Sequence, residues 1–161
     1  MEFVIDKVSN KVMVTREFAA PLSKVWAAWT QRELLDQWWA PKPWKARTKS
    51  LDFKDGGYWL YAMVGPEGEE HWCRADFNSV EPMKSFKGID AFCDPEGKPT
   101  NEFPIAYWHC KFSERSNKTI VEIELSYDSL ADLEKYIELG FKEGFTMALG
   151  NLDELFSAMK V

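Results

Sequence analysis

Apolar residues in this chain follow a strand period, then a helical one, return to the strand period through the middle, and end helical. Over residues 9–18, Val12, Val14, Arg16 and Phe18 share one parity while Met13, Thr15 and Glu17 share the other, which predicts a strand. Arg16 is the odd member of its set, either a charge at a wet strand end or one that faces an interior space. Ala19-Ala20-Pro21 then predicts a helix with proline in its first turn, where the missing N–H costs nothing. Leu22, Val25, Trp26 and Trp29 fall on one face of that helix. Thr30 and Glu33 have capping-box spacing for a second short helix, in which Leu34, Leu35, Trp38 and Trp39 form the apolar side. Pro41 and Pro43 end it, because the residue before a proline avoids helical dihedrals.

The strand period resumes over residues 46–54 and 58–64, which flank the tight-turn signal Asp55-Gly56-Gly57. A further strand is predicted over 70–80, broken by Glu81-Pro82, and another over 84–93. Residues 94–99 read as a loop. Residues 105–113 and 119–127 then form a hairpin that turns near Ser116-Asn117. In its second strand Val121, Ile123 and Leu125 alternate with Glu122, Glu124 and Ser126, so one face is wet and the other buried. Ser129 and Asp132 signal a helix start, and Leu133, Ile137, Phe141, Phe145, Leu149, Leu152 and Phe156 carry a helical stripe towards the C-terminus. Gly140 either kinks this helix or divides it in two. The order predicts an α+β fold over residues 1–161 as one domain. A curved antiparallel sheet of about seven strands surrounds a long C-terminal helix, with two short helices after the first strand. Such a layout usually encloses a cavity.

A chain of 161 residues can build its own core without disulfides or metals. The net charge of −6 supplies no global field for nucleic acid, and the one basic run, Lys42, Lys45, Arg47 and Lys49, reads as a solvated strand edge. Cys73, Cys93 and Cys110 are odd in number and widely spaced, the pattern of reduced thiols in a cytoplasmic protein. No stretch is apolar enough to predict membrane insertion, and no ligand spacing predicts a metal or other cofactor.

Eight tryptophans are many for this length, and they suit an apolar cavity wall as well as a core. Gly140, Gly144 and Ala148 stand four apart on one helix side. They either let the helix approach the sheet or leave room for a ligand. His71 shares a parity with Cys73, Ala75 and Phe77 and is predicted to face inward, as a structural histidine or as a general base at the cavity mouth. His109 is predicted to face outward, opposite in parity to Trp108, Cys110 and Phe112. In the 58–64 strand Trp59, Tyr61 and Met63 share one face and Tyr58, Leu60 and Ala62 the other. The candidate ligand-binding residues are Trp38, Trp39, Tyr61, His71, Cys73, Trp108, Phe141, Gly144, Phe145 and Ala148. No nucleophile elbow, phosphate loop or dinucleotide fingerprint is present, and no residue is assigned a catalytic role.

Ala20-Pro21, Val25-Trp26 with Trp29-Thr30, Leu35 to Pro41, Leu51-Asp52 with Gly56-Gly57, Val80-Glu81-Pro82, and Gly144-Phe145 with Leu149, Leu152 and Leu155 recur in one order over residues 10–157. In these motifs the chain resembles the bacterial homologues of the Hsp90 ATPase activator C-terminal domain, in the SRPBCC, START and Bet v 1-like superfamily. The resemblance implies a helix-grip fold with a hydrophobic cavity between sheet and long helix, and no shared catalytic machinery. Phe53-Lys54-Asp55 stands where the family often carries an arginine before the paired glycines.

Three functions are weighed on this basis. The first is binding of an apolar or amphipathic small molecule. The second is an enzyme of the cyclase, lyase or hydrolase kind acting on a bulky apolar substrate, with His71 or Tyr61 as its polar group. The third is a regulatory module that touches an Hsp90 homologue, as in a stress response; it ranks last because the eukaryotic activator's N-terminal domain is absent from this sequence. Tryptophans on the short helices also leave a homodimer open.

Overall fold

The computed structural model describes residues 1–159. Its elements run β1 (Glu2–Asp6), β2 (Lys11–Phe18), α1 (Leu22–Thr30), α2 (Arg32–Trp38), β3 (Lys45–Leu51), β4 (Tyr58–Val64), β5 (Glu70–Glu81), β6 (Ser85–Cys93), β7 (Ala106–Arg115), β8 (Lys118–Ser126), α3 (Leu130–Glu138) and α4 (Phe141–Met159). The strands form one antiparallel sheet in the order β1-β2-β8-β7-β6-β5-β4-β3. This is the helix-grip arrangement, with eight strands in place of about seven. The additional strand, β1, pairs only with β2 and its residues are mostly exposed, so it lacks the alternation that marks a half-buried strand.

The inner face follows the parity set by the sequence. Val12, Val14 and Phe18 of β2 and Val121, Ile123 and Leu125 of β8 are fully or almost fully buried. Asparagine at residue 10 (φ 57°) and the pair Ser116 and Asn117 (φ 53° and 65°) take the left-handed backbone that tight hairpins need. Register shifts between Thr48 and Ser50 and between Phe77 and Ser79 add the local twist that curves a sheet. β3 is an outer strand, and Lys45, Arg47 and Lys49 on it are exposed.

Two helix starts depart from the sequence reading. Pro21 is the extended residue before α1 rather than part of its first turn. The Thr30–Glu33 capping box does not form: Gln31 occupies the cap of α2 without a side-chain bond, and Thr30 Oγ1 donates instead to Trp26 O at 2.8 Å. Thr30 is still the last helical residue of α1, so its hydroxyl lies within reach of its own helix's carbonyls. Ser129 does cap α3, accepting from Asp132 N at 3.1 Å. Gly140, at φ +88°, divides α3 from α4.

Helix α4 lies in the concavity with Phe145, Ala148, Leu149, Leu152 and Phe156 buried. Polar contacts fix it at both flanks. Asn151 Nδ2 donates to Ala40 O at 3.0 Å and to Trp38 O at 3.4 Å, joining α4 to the end of α2. Arg16 forms a two-pronged ion pair with Asp153, so the charge among the inward residues of β2 holds the far end of the helix. The cysteines are free and buried.

Candidate functional site

A cavity of about 200 Å³ lies between the sheet and the α3–α4 junction. Its aromatic wall comes from Trp39 just after α2, Tyr61 on β4, Trp108 on β7, Tyr136 on α3, and Phe141 and Phe145 on α4. Cys73, Met63 and Phe92 add the sheet side, and Pro41, Pro104, Leu139 and Gly140 form part of the rim. A second apolar space of about 40 Å³ lies deeper, against Trp29, Trp59, Phe77 and Phe86. Trp39, Trp108 and Asp90 border both.

The rings around Trp39 meet mostly edge to face. Trp39 stands 5.2 Å from Trp38, 5.3 Å from Trp59, 5.8 Å from Trp108 and 6.3 Å from Phe145 between ring centroids. Its Nε1 donates to the Tyr61 hydroxyl at 3.0 Å. Tyr61 and Cys73 are register partners on the adjacent strands β4 and β5.

Of the residues expected from sequence, Trp39, Tyr61, Cys73, Trp108, Phe141, Gly144 and Phe145 meet around the cavity. Three do not. Trp38 is one layer behind: it is buried, and its Nε1 donates to Ala28 O at 2.8 Å. Ala148 lies one turn beyond Gly144 and is buried where α4 has descended into the core. His71 corrects the inward reading. It keeps the parity of Cys73 but occupies the start of β5, outside the ring of cavity residues, where it is exposed and packs against Trp44 at 5.3 Å. The small-residue stripe therefore divides. Gly140 and Gly144 leave room at the rim, where a Cβ on Gly144 would meet only Pro41 Cγ at 3.7 Å, while Ala148 serves close packing.

Asp90 and Tyr136 were not anticipated. Asp90 was legible: Phe86, Gly88, Asp90 and Phe92 share one parity on β6, so a carboxylate interrupts an otherwise apolar or small face. Tyr136 precedes Ile137, which the helical stripe included, and the stripe's width gave no sign that α3 would turn this neighbour to the cavity.

The electrostatics of the cavity centre on Asp90. Burial pushes its carboxyl up to about 7, against a hydrogen bond from the Ala91 N–H that favours the charged form. Its Oδ1 is sealed from solvent without a hydrogen-bond partner, and so are Trp108 Nε1 and the Tyr127 hydroxyl. Burial first, and the Asp90 charge second, raise the hydroxyls of Tyr61, Tyr127 and Tyr136 and the thiol of Cys73. Among the described residues no lysine, arginine or histidine lines the cavity. No group of three or more histidine, cysteine or acidic side chains among them could hold a metal ion, and none of their helices is long and apolar enough to cross a membrane.

A curved sheet closed by a long helix over an aromatic-walled space defines a domain of the ligand-binding, helix-grip type. Comparison with known proteins agrees. The sequence profile of the family described as Activator of Hsp90 ATPase homolog 1-like protein matches residues 19–157, and the chain belongs to that family. Protein Ms6760 from Mycobacterium smegmatis is 26% identical, with a TM-score of 0.90 over 99% of this chain and 98% of that one. A protein from Arthrobacter aurescens is 27% identical, with a TM-score of 0.92 over 98% and 91% of the two chains. One from Staphylococcus epidermidis is 26% identical, with a TM-score of 0.84 over 97% and 94%. No curated protein matches the chain.

Proposed function

We propose that this protein binds an apolar or amphipathic small molecule in the cavity between its sheet and helix α4. The observation that carries the reading is the cavity itself: about 200 Å³ of space bounded by aromatic rings from five different elements and the segment after α2. A space of this character stays open to an apolar guest because its walls offer water few partners. Catalysis is the weaker reading. His71, considered as a general base, is exposed at the start of β5, and the Tyr61 hydroxyl already accepts from Trp39 Nε1.

The test is calorimetric titration with naphthalene-1-methanol, a neutral two-ring probe, alongside native mass spectrometry of the protein purified from its own host. Saturable binding is expected, with a discrete mass lost on denaturation. Gly144→Trp places an indole at the rim, where a Cβ meets only Pro41 Cγ at 3.7 Å, and the affinity should fall about tenfold or more. Binding by folded Gly144→Trp at the wild-type affinity would sink the proposal.

A further inference from the structure

Asp90 is the acidic side chain among the residues that line the cavity. Asp90 sits on the concave face of β6, and its cross-strand neighbours are Ala75 on β5 and Ala106 on β7. Both are small, so no flanking side chain covers the carboxylate, which borders both the larger and the deeper space. Its Oδ1 is buried without a partner, although nearly all buried acceptors in folded proteins have one. An isolated buried carboxylate calls for a countercharge, and no cationic side chain among the described residues lines the cavity to supply it. The surrounding rings offer the negative faces that attract organic cations. Trp39, Tyr61, Trp108 and Tyr136 line the space that Asp90 borders.

We propose that the cavity selects an aromatic or apolar organic amine, whose ammonium group pairs with the Asp90 carboxylate while its body lies among Trp39, Tyr61, Trp108 and Phe145. The assignment rests on the cavity being a ligand site, and it names the chemical class of that ligand. The ammonium pairs with the carboxylate where Asp90 borders the cavity. The protein's net charge of −6 favours the approach of a cation over that of an anion.

The groups that face Asp90 keep its titration distinct. Tyr61 on β4, Cys73 on β5, Tyr136 on α3 and Tyr127 after β8 are all held above their ordinary values by burial, so they stay neutral near pH 7. Asp76 on β5 adds negative charge but is held by Arg74. Helix α4 presents Phe141, Gly144 and Phe145 to the cavity and no charge.

The experiment compares 1-naphthylmethylammonium with its neutral isostere naphthalene-1-methanol by calorimetry on the full chain. At about pH 8 the wild type should bind the ammonium about tenfold tighter than the alcohol, and the preference should shrink at about pH 6 as Asp90 takes up a proton. Asp90→Asn keeps the shape and should lose the preference for the ammonium over the alcohol. The pH series on the wild type gives the same readout without relying on the variant's folding. Equal affinities for the two probes in the wild type, or an ammonium preference that survives in Asp90→Asn, would overturn the amine assignment and leave the binding function standing. Failure of both probes to bind would instead remove the binding function, and this assignment with it.

Discussion

Replacing Asp90 by asparagine tests the buried carboxyl directly, because its cost to the folded state depends on pH in a defined direction. Below the ordinary aspartate value of 3.8 the carboxyl is protonated both in the unfolded chain and in the fold. Between 3.8 and about 7 the unfolded chain releases the proton while the folded protein retains it. The folded state then binds more protons, so stability falls as pH rises through that window and levels off above about 7. A difference of about three pH units corresponds to about 4 kcal/mol at 1.4 kcal/mol per unit. Asparagine does not titrate, so Asp90→Asn should match the wild type to within about 1 kcal/mol near pH 4 and exceed it by about 4 kcal/mol near pH 8. Urea unfolding followed by far-UV circular dichroism at half-unit pH steps measures both curves. The carboxylates that favour the charged form, Asp6, Asp94 and Glu124, act equally in the two proteins and cancel in the difference. A difference that stays constant from pH 4 to pH 8 would refute the reasoning, since it would mean that Asp90 ionises as freely in the fold as outside it.

Further substitutions probe how the helix is held. Gly140→Ala should destabilise by about 1–2 kcal/mol, because a side chain at φ +88° is strained, whereas Gly150→Ala, in mid-helix with open space around its Cβ, should stabilise by up to about 1 kcal/mol; thermal unfolding separates them by sign. Asn151→Ala leaves the carbonyls of Trp38 and Ala40 without their donor and should cost about 2 kcal/mol in urea unfolding. A double-mutant cycle on Arg16→Ala and Asp153→Ala should give a coupling of about 1 kcal/mol that weakens in molar salt, and zero coupling would show that the pair does not fasten the helix.

Much of the architecture was legible because its strands carry one wet and one apolar face. β2 and β8 show this plainly: the parity of Val12 and Val14 and of Val121, Ile123 and Leu125 is the parity of burial. β1 escaped because Phe3 is half-buried while Val4 and Ile5 are exposed, so an outer strand held chiefly by backbone bonds left no period to read. Parity also has a limit that His71 exposes. It fixes the side of the sheet but not the position along the strand, and the first residues of β5 extend past the cavity. The opposite lesson comes from Asp90, where one acidic residue in the run Phe86, Gly88, Asp90, Phe92 was a local contradiction of the pattern. Whether Gly140 bends or divides the helix depends on the packing of α3 beside the cavity, and no residue of the helix itself encodes that.

The crowding of indoles around Trp39 has an optical consequence. Trp29 and Trp38 lie 4.9 Å apart, and Trp39 connects them to Trp59 and Trp108 through centroid distances of 5.3 Å and 5.8 Å. At such separations excitation migrates among the rings before it is emitted, and neighbouring transition dipoles couple into split near-ultraviolet circular dichroism bands. Trp39 and Trp108 both border the cavity. A quencher entering there therefore dims the emission of the whole cluster rather than of one ring, and loosening of the core erases the split bands even while the backbone helices and strands persist. The protein thus carries a spectroscopic reporter of its own occupancy, readable without any label.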